Sequence, residues 1–178
     1  MTVLSIPAKL SAFKVGIATL SVLASFSFAG NAFADTCFDV AGTVSTTNVS
    51  ELVQQGTIAL ELSPVGSNAT PFHETGTLQG TITGVEDFGV VVLSHTASFS
   101  KGGSFITIGD RAQILGVRAF DGSDPCSYYV LETITQIAQG AKFFNDTTET
   151  EIVANGHISS CPGENANYFE LSGSLCKD

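Results

Sequence analysis

The sequence predicts an all-β domain: a single antiparallel barrel of about eight strands, with a β-sandwich of similar strand count as the alternative. Three observations carry this. From Cys37 onward apolar and polar residues alternate with a period of two, interrupted by Gly, Asn or Asp about every ten residues. A short unit of glycine, a small or polar residue and an aliphatic one recurs at Gly42-Thr43-Val44, Gly56-Thr57-Ile58, Gly76-Thr77-Leu78, Gly80-Thr81-Ile82, Gly156-His157-Ile158 and Gly173-Ser174-Leu175. Glycine weakens a strand interior, so its repeated use there implies bulges, sharp coiling or the close backbone approach of a closing barrel. Finally, the chain holds four cysteines, an even number that forms two disulfides in an oxidising compartment.

The compartment is read from the first 34 residues. Lys9 and Lys14 make a basic start, residues 15–29 an apolar stretch, and Ala32-Phe33-Ala34 a cleavage site, so residues 1–34 read as a signal peptide and 35–178 as one secreted or periplasmic β domain. The apolar stretch is too short to span a bilayer and no second one follows. Removing Lys9 and Lys14 leaves five basic residues against 17 acidic ones, a net charge of −12. That surface repels phosphate backbones and anionic headgroups, which argues against nucleic-acid and electrostatic membrane partners, and it favours solubility. The residues before Cys37, Ala34-Asp35-Thr36, lack the small apolar box of a lipidation site, so Cys37 is expected to be oxidised.

Taken in order, the strands are expected at 37–45, 55–62, 74–83, 88–99, 104–108, 112–120, 127–137, 149–159 and 168–175. No segment carries convincing helical periodicity; 48–55 is long enough for one or two turns at most. Along residues 130–137, Val130, Glu132, Ile134 and Gln136 share one face and Leu131, Thr133, Thr135 and Ile137 the other. Both faces are mixed, and this strand alone leaves open which is buried. Four cysteines allow three pairings. A hairpin centred near residue 144 brings Cys126 opposite Cys161, whereas pairing Cys161 with Cys176 needs a slip of many residues at about 3.3 Å each. Cys37 and Cys176 then tie the two ends of the domain together.

Three histidines are present, His73, His95 and His157, and none stands at metal-ligand spacing from another, so no metal site and no cofactor is predicted. His95 sits in a strand between Ser94 and Thr96, and His157 occupies the polar slot of a Gly-x-Ile unit. With Glu132 they are the ligand-binding candidates, provided they converge on a cavity. No nucleophile elbow, phosphate loop, H-E-x-x-H or EF-hand loop is present, and no catalytic residue is assigned. The acidic segments Asp121-Gly122-Ser123-Asp124 and Asn145-Asp146-Thr147-Thr148-Glu149 carry oxygen ligands suited to calcium, but these are also the residues turns use, and they read as turns. The triplets at Asn48, Asn68 and Asn145 match a glycosylation acceptor and read as loop and strand-edge residues.

A longer repeat also appears: Gly102, Phe105 and Ile114 recur 38 residues later as Gly140, Phe143 and Ile152, which suggests two equivalent hairpin loops with Phe105 and Phe143 plugging the barrel ends. The segments Gly102-Gly103-Ser104-Phe105 and Gly140-Ala141-Lys142-Phe143 resemble the recurring loops of allene oxide cyclase-like and dirigent-like barrels and of bacterial secreted proteins built similarly. The resemblance covers residues 88–176. It departs where the family pattern continues to another glycine, since one copy has Gly109 and the other Thr147. It implies an eight-stranded antiparallel barrel with an apolar cavity, and no site residue of those families is carried over.

Three functions fit these readings. The first is a binding module taking a small apolar ligand into the barrel, and the second an interaction protein of the envelope or extracellular space. The third is a cyclase- or isomerase-like enzyme that orients an apolar substrate around a group such as His95 or Glu132.

Overall fold

The computed structural model describes residues 36–178; the signal-peptide reading of residues 1–34 lies outside them. Ten strands form in chain order: β1 (Thr36–Asn48), β2 (Val53–Pro64), β3 (Phe72–Val85), β4 (Val91–Phe99), β5 (Ser104–Thr107), β6 (Asp110–Asp121), β7 (Asp124–Ile134), β8 (Ile137–Ala141), β9 (Thr147–Ser159) and β10 (Asn167–Lys177). All pairings between them are antiparallel. Eight close a barrel in the circular order β1-β2-β3-β4-β6-β7-β9-β10, with β10 returning to β1 and the β3–β4 ladder sealing the circle. The barrel, not the sandwich, is therefore the fold. Among the described residues no helix is long and apolar enough to cross a membrane.

Period-two alternation sets the interior. Val40 and Val44 of β1, Ile58, Leu60 and Leu62 of β2, Leu93 and Ala97 of β4, and Phe169, Leu171 and Leu175 of β10 are buried in one core, while the residues that alternate with this register face outward. On β7 the inward face is that of Val130, Glu132 and Ile134, which answers the question the mixed pattern left open. The recurrent glycines allow the strands to coil. A Cβ on Gly156 would stand 1.9 Å from the Tyr168 carbonyl oxygen of the neighbouring β10, so only glycine admits that approach.

Both expected disulfides form. Cys37 bonds Cys176 across the β1–β10 ladder, where the two residues are register partners, and Cys126 bonds Cys161 beyond the Ser127–Ser159 end of the β7–β9 ladder. The second follows from the hairpin count: β7 and β9 pair about a centre near residue 143, with β8 carried in the excursion between them.

Three local expectations are corrected. The run 127–137 is two strands, since β7 ends at Ile134 and β8 begins at Ile137 to pair with β5 instead of β9. Phe88 is not in β4 but in a single 3-10 turn, fully exposed and with φ 64°. The two Gly-Phe repeats are not equivalent loops. They meet each other, with Ser104 opposite Ala141 and Phe105 opposite Gly140 in the β5–β8 ribbon. Phe105 and Phe143 accordingly serve one end of the barrel, not two. Phe38, Phe72 and Phe143 form one edge-to-face group; Phe99 stacks on Phe144, which meets Phe105 edge to face, and Phe143 against Phe144 joins the two, with ring centroids 4.4–5.8 Å apart throughout.

Candidate functional site

The site lies where the β4 ladder changes partner. The distal half of β4 pairs with β5 (Thr96 opposite Ile106) and its proximal half with β6 (Leu93 opposite Asp110). Between them the chain makes a tight link, Thr107-Ile108-Gly109-Asp110, with Gly109 in the left-handed region (φ 70°). This link delivers Thr107 and Asp110 beside His95, the inward residue of β4 that faces the gap. On the neighbouring β7, Glu132 stands opposite Ala112 of β6, and the small alanine leaves its carboxylate room to reach the same point.

The four side chains form one buried cluster. His95 Nδ1 lies 2.8 Å from Asp110 Oδ2 and 3.4 Å from Glu132 Oε1. The Thr107 hydroxyl donates to Asp110 Oδ2 and accepts the His95 backbone N–H at 3.0 Å. Ser94 Oγ donates to the Thr107 carbonyl at 2.7 Å, pinning the link to β4. Asp110 is fully buried, and His95 and Glu132 are no more than 9 % exposed. Asp110 Oδ1 and Glu132 Oε1 are buried without a hydrogen-bond partner. The 3.4 Å approach of Glu132 to Nδ1 is thus an electrostatic contact only, the Nδ1 proton being committed to Asp110. The other edge of the imidazole lies over Gly80, its register partner on β3, where a Cβ would come within 2.9 Å of Nε2. Glycine at 80 is what lets the ring lie flat at the wall.

Burial alone would lower the pKa of His95, but the hydrogen bond to Asp110 and the charges of Glu132 and Asp110 outweigh it, and the imidazole is raised above its ordinary value. Burial raises Glu132 above the carboxylate range; the histidine opposes that shift and Asp110 adds to it. A carboxyl group biased toward its neutral form beside an imidazole biased toward its charged form is an arrangement suited to moving a proton.

His95 and Glu132 also line a cavity of about 120 Å³ inside the barrel. Its remaining wall is largely apolar, with Val44, Leu60, Leu78, Val130, Ile152 and Leu171 contributed by six strands, three phenylalanines beside them, and Thr46, Gln54 and Thr107 as the polar exceptions. Two of the three sequence candidates therefore meet at one point. The third, His157, projects from the opposite face of β9 to Ala154 and Ile158, with its ring beside Tyr168 outside the cavity. His73 is exposed, 3.7 Å from Glu61. Sequence reading missed Asp110 and Thr107; the signal available was the Thr-x-Gly-Asp link, whose glycine marks a turn tight enough to turn both side chains to one point.

Comparison of the chain with protein-family models, with curated proteins and with solved structures gives no match.

Proposed function

We propose that this is an extracytoplasmic binding protein, secreted or periplasmic, whose barrel interior takes up a small apolar molecule and anchors its one polar group on His95 and Glu132. The observation that carries this reading is a largely apolar cavity whose wall holds the buried, charge-bearing pair His95 and Glu132, the other polar lining residues being Thr46, Gln54 and Thr107. An apolar lining with a few convergent polar groups is how small-molecule sites are built. The size narrows the occupant: about 120 Å³ is well below the ~300 Å³ of a drug-sized pocket and near that of a cavity that takes a benzene-sized guest. The two disulfides and the signal-like residues 1–34 support the oxidising compartment. The resemblance to allene oxide cyclase-like and dirigent-like barrels favours the same cavity-centred reading.

The test is native mass spectrometry of the exported protein, unreduced, before and after denaturation, with thermal melts in the presence of indole-sized aromatics. Mass lost on denaturation identifies a resident ligand. A ligand at a hundred times its Kd adds about 2.7 kcal/mol of stability. Ala154→Leu, which projects a larger side chain into the cavity, is expected to abolish both effects at a cost of about 1–3 kcal/mol to the fold. Binding unchanged by that substitution places the ligand elsewhere and sinks the reading.

A second reading, proton transfer on the bound molecule by an isomerase- or cyclase-like enzyme, is favoured by the opposed biases of His95 and Glu132 at the cavity wall.

A further inference from the structure

We infer that His95, Asp110 and Glu132 form a binding site for one divalent first-row transition-metal ion, such as zinc, set in the wall of the apolar cavity with an open coordination position facing the lumen. The inference goes beyond the ligand reading and stands without it. One nitrogen and two carboxylate oxygens, drawn from three different strands, lie within 4.8 Å of one another. Metal–ligand bonds of about 2.0–2.2 Å require donor atoms at separations that small side-chain rotations reach from this arrangement. One imidazole with two carboxylates is a borderline donor set, matched to zinc, cobalt, iron or manganese rather than to calcium, which takes six to eight oxygens.

A second observation points to a ligand independently of the spacing. Asp110 Oδ1 and Glu132 Oε1 are buried without a hydrogen-bond partner, and buried carboxylate oxygens that accept no hydrogen bond are costly. In the deprotonated form that binds a metal, a neutral imidazole and two carboxylates place two negative charges in a largely apolar interior, and a dication cancels both. The surroundings supply what a metal site needs around it. Thr107 holds one Asp110 oxygen through its hydroxyl, and Ser94 holds Thr107, so the carboxylate is oriented before an ion arrives. On binding, the imidazolium gives up its Nδ1 proton, and Glu132 the proton of its neutral form, both to solvent, and the neutral imidazole keeps the proton on Nε2, over Gly80. His95 and Glu132 line the cavity directly, so a fourth position opens onto it, as in sites where a metal receives a water or a substrate oxygen.

Chelator-treated full-length mature protein with intact disulfides is titrated with Co²⁺ and Zn²⁺ by calorimetry and native mass spectrometry, with visible absorption reporting Co²⁺ coordination. The expected result is one ion per chain. Glu132→Gln keeps the shape of the side chain and removes its charge, so the variant folds. Its affinity should fall at least tenfold, the lower end of what loss of a mere supporting group costs. His157→Ala, on the outer face, should bind as wild type does. No ion bound by the wild type, or equal affinity in Glu132→Gln, overturns the inference. Failure of aromatic binding with metal binding intact sinks the ligand reading alone.

Discussion

Replacing Cys37 and Cys176 together by serine is expected to destabilise the protein by about 5 kcal/mol, more than any surface change and more than loss of the second disulfide. The bond closes a loop of 139 residues, nearly the whole described chain, and loop-closure entropy restricts the unfolded ensemble more the longer the loop. The Cys126–Cys161 bond spans 35 residues, and the same relation gives about 4 kcal/mol. The native state loses little in either case. Cys37 and Cys176 sit in the β1–β10 ladder, whose paired residues run from Thr36–Lys177 to Thr46–Asn167, and those backbone bonds survive the substitution. The difference is read from urea midpoints of the two double-serine variants at equal m-value. The order of the two reverses only if the native strands around Cys126 and Cys161 hold their geometry through that disulfide, in which case the Ser127–Ser159 end of the β7–β9 ladder should show faster amide exchange in its serine variant.

Most of the barrel was legible because a closed sheet with one buried face writes a period of two into every strand, and because turns demand glycine and asparagine. The strands that pair with their sequence neighbours, β1 with β2 and β2 with β3, follow that pattern with few departures. What escaped was the seam. β5 and β8 are four and five residues long, too short for periodicity to separate them from the strands they adjoin, and they pair with each other across a gap of about thirty residues. Phe88 reads as a strand residue by composition, yet it sits exposed at positive φ, a local conformation that side-chain type does not encode. The site divides in the same way. His95 and Glu132 were visible as polar residues on apolar strands, since a charge in a core pattern is unusual. Asp110 falls just before the strand expected at 112–120, next to Gly109, and its place in the cluster comes from the partner switch of β4 that no local pattern announces.

His95→Ala is expected to cost about 3–5 kcal/mol in the metal-free protein, whereas Glu132→Gln should cost little at neutral pH, although both remove one member of the same cluster. Removing the imidazole takes from the fully buried Asp110 its nearest cationic partner, and breaking one side of a buried pair leaves an uncompensated charge. Glutamine in place of Glu132 substitutes a neutral group for one whose neutral form the site already favours. The pH dependence separates the two further. His95 has a folded pKa above its ordinary 6.5, so its contribution is complete below that value and is lost as pH rises through the raised one. Glu132 is likewise raised above 4.5, so its contribution is complete below 4.5 and fades as pH rises. Both shifts act in one direction. Stability of the metal-free protein should decline from about pH 4.5 through the neutral range; Asp110, from β6, also contacts the imidazole and supplies part of the charge that raises His95. Denaturation midpoints measured across that range in chelator should show the decline in wild type, its acid-side portion missing in Glu132→Gln and its neutral-range portion missing in His95→Ala, where the Glu132 portion remains. A wild-type protein whose stability rises over the same interval would mean that both carboxylates are held charged in the fold, and the account of the cluster given above would fail.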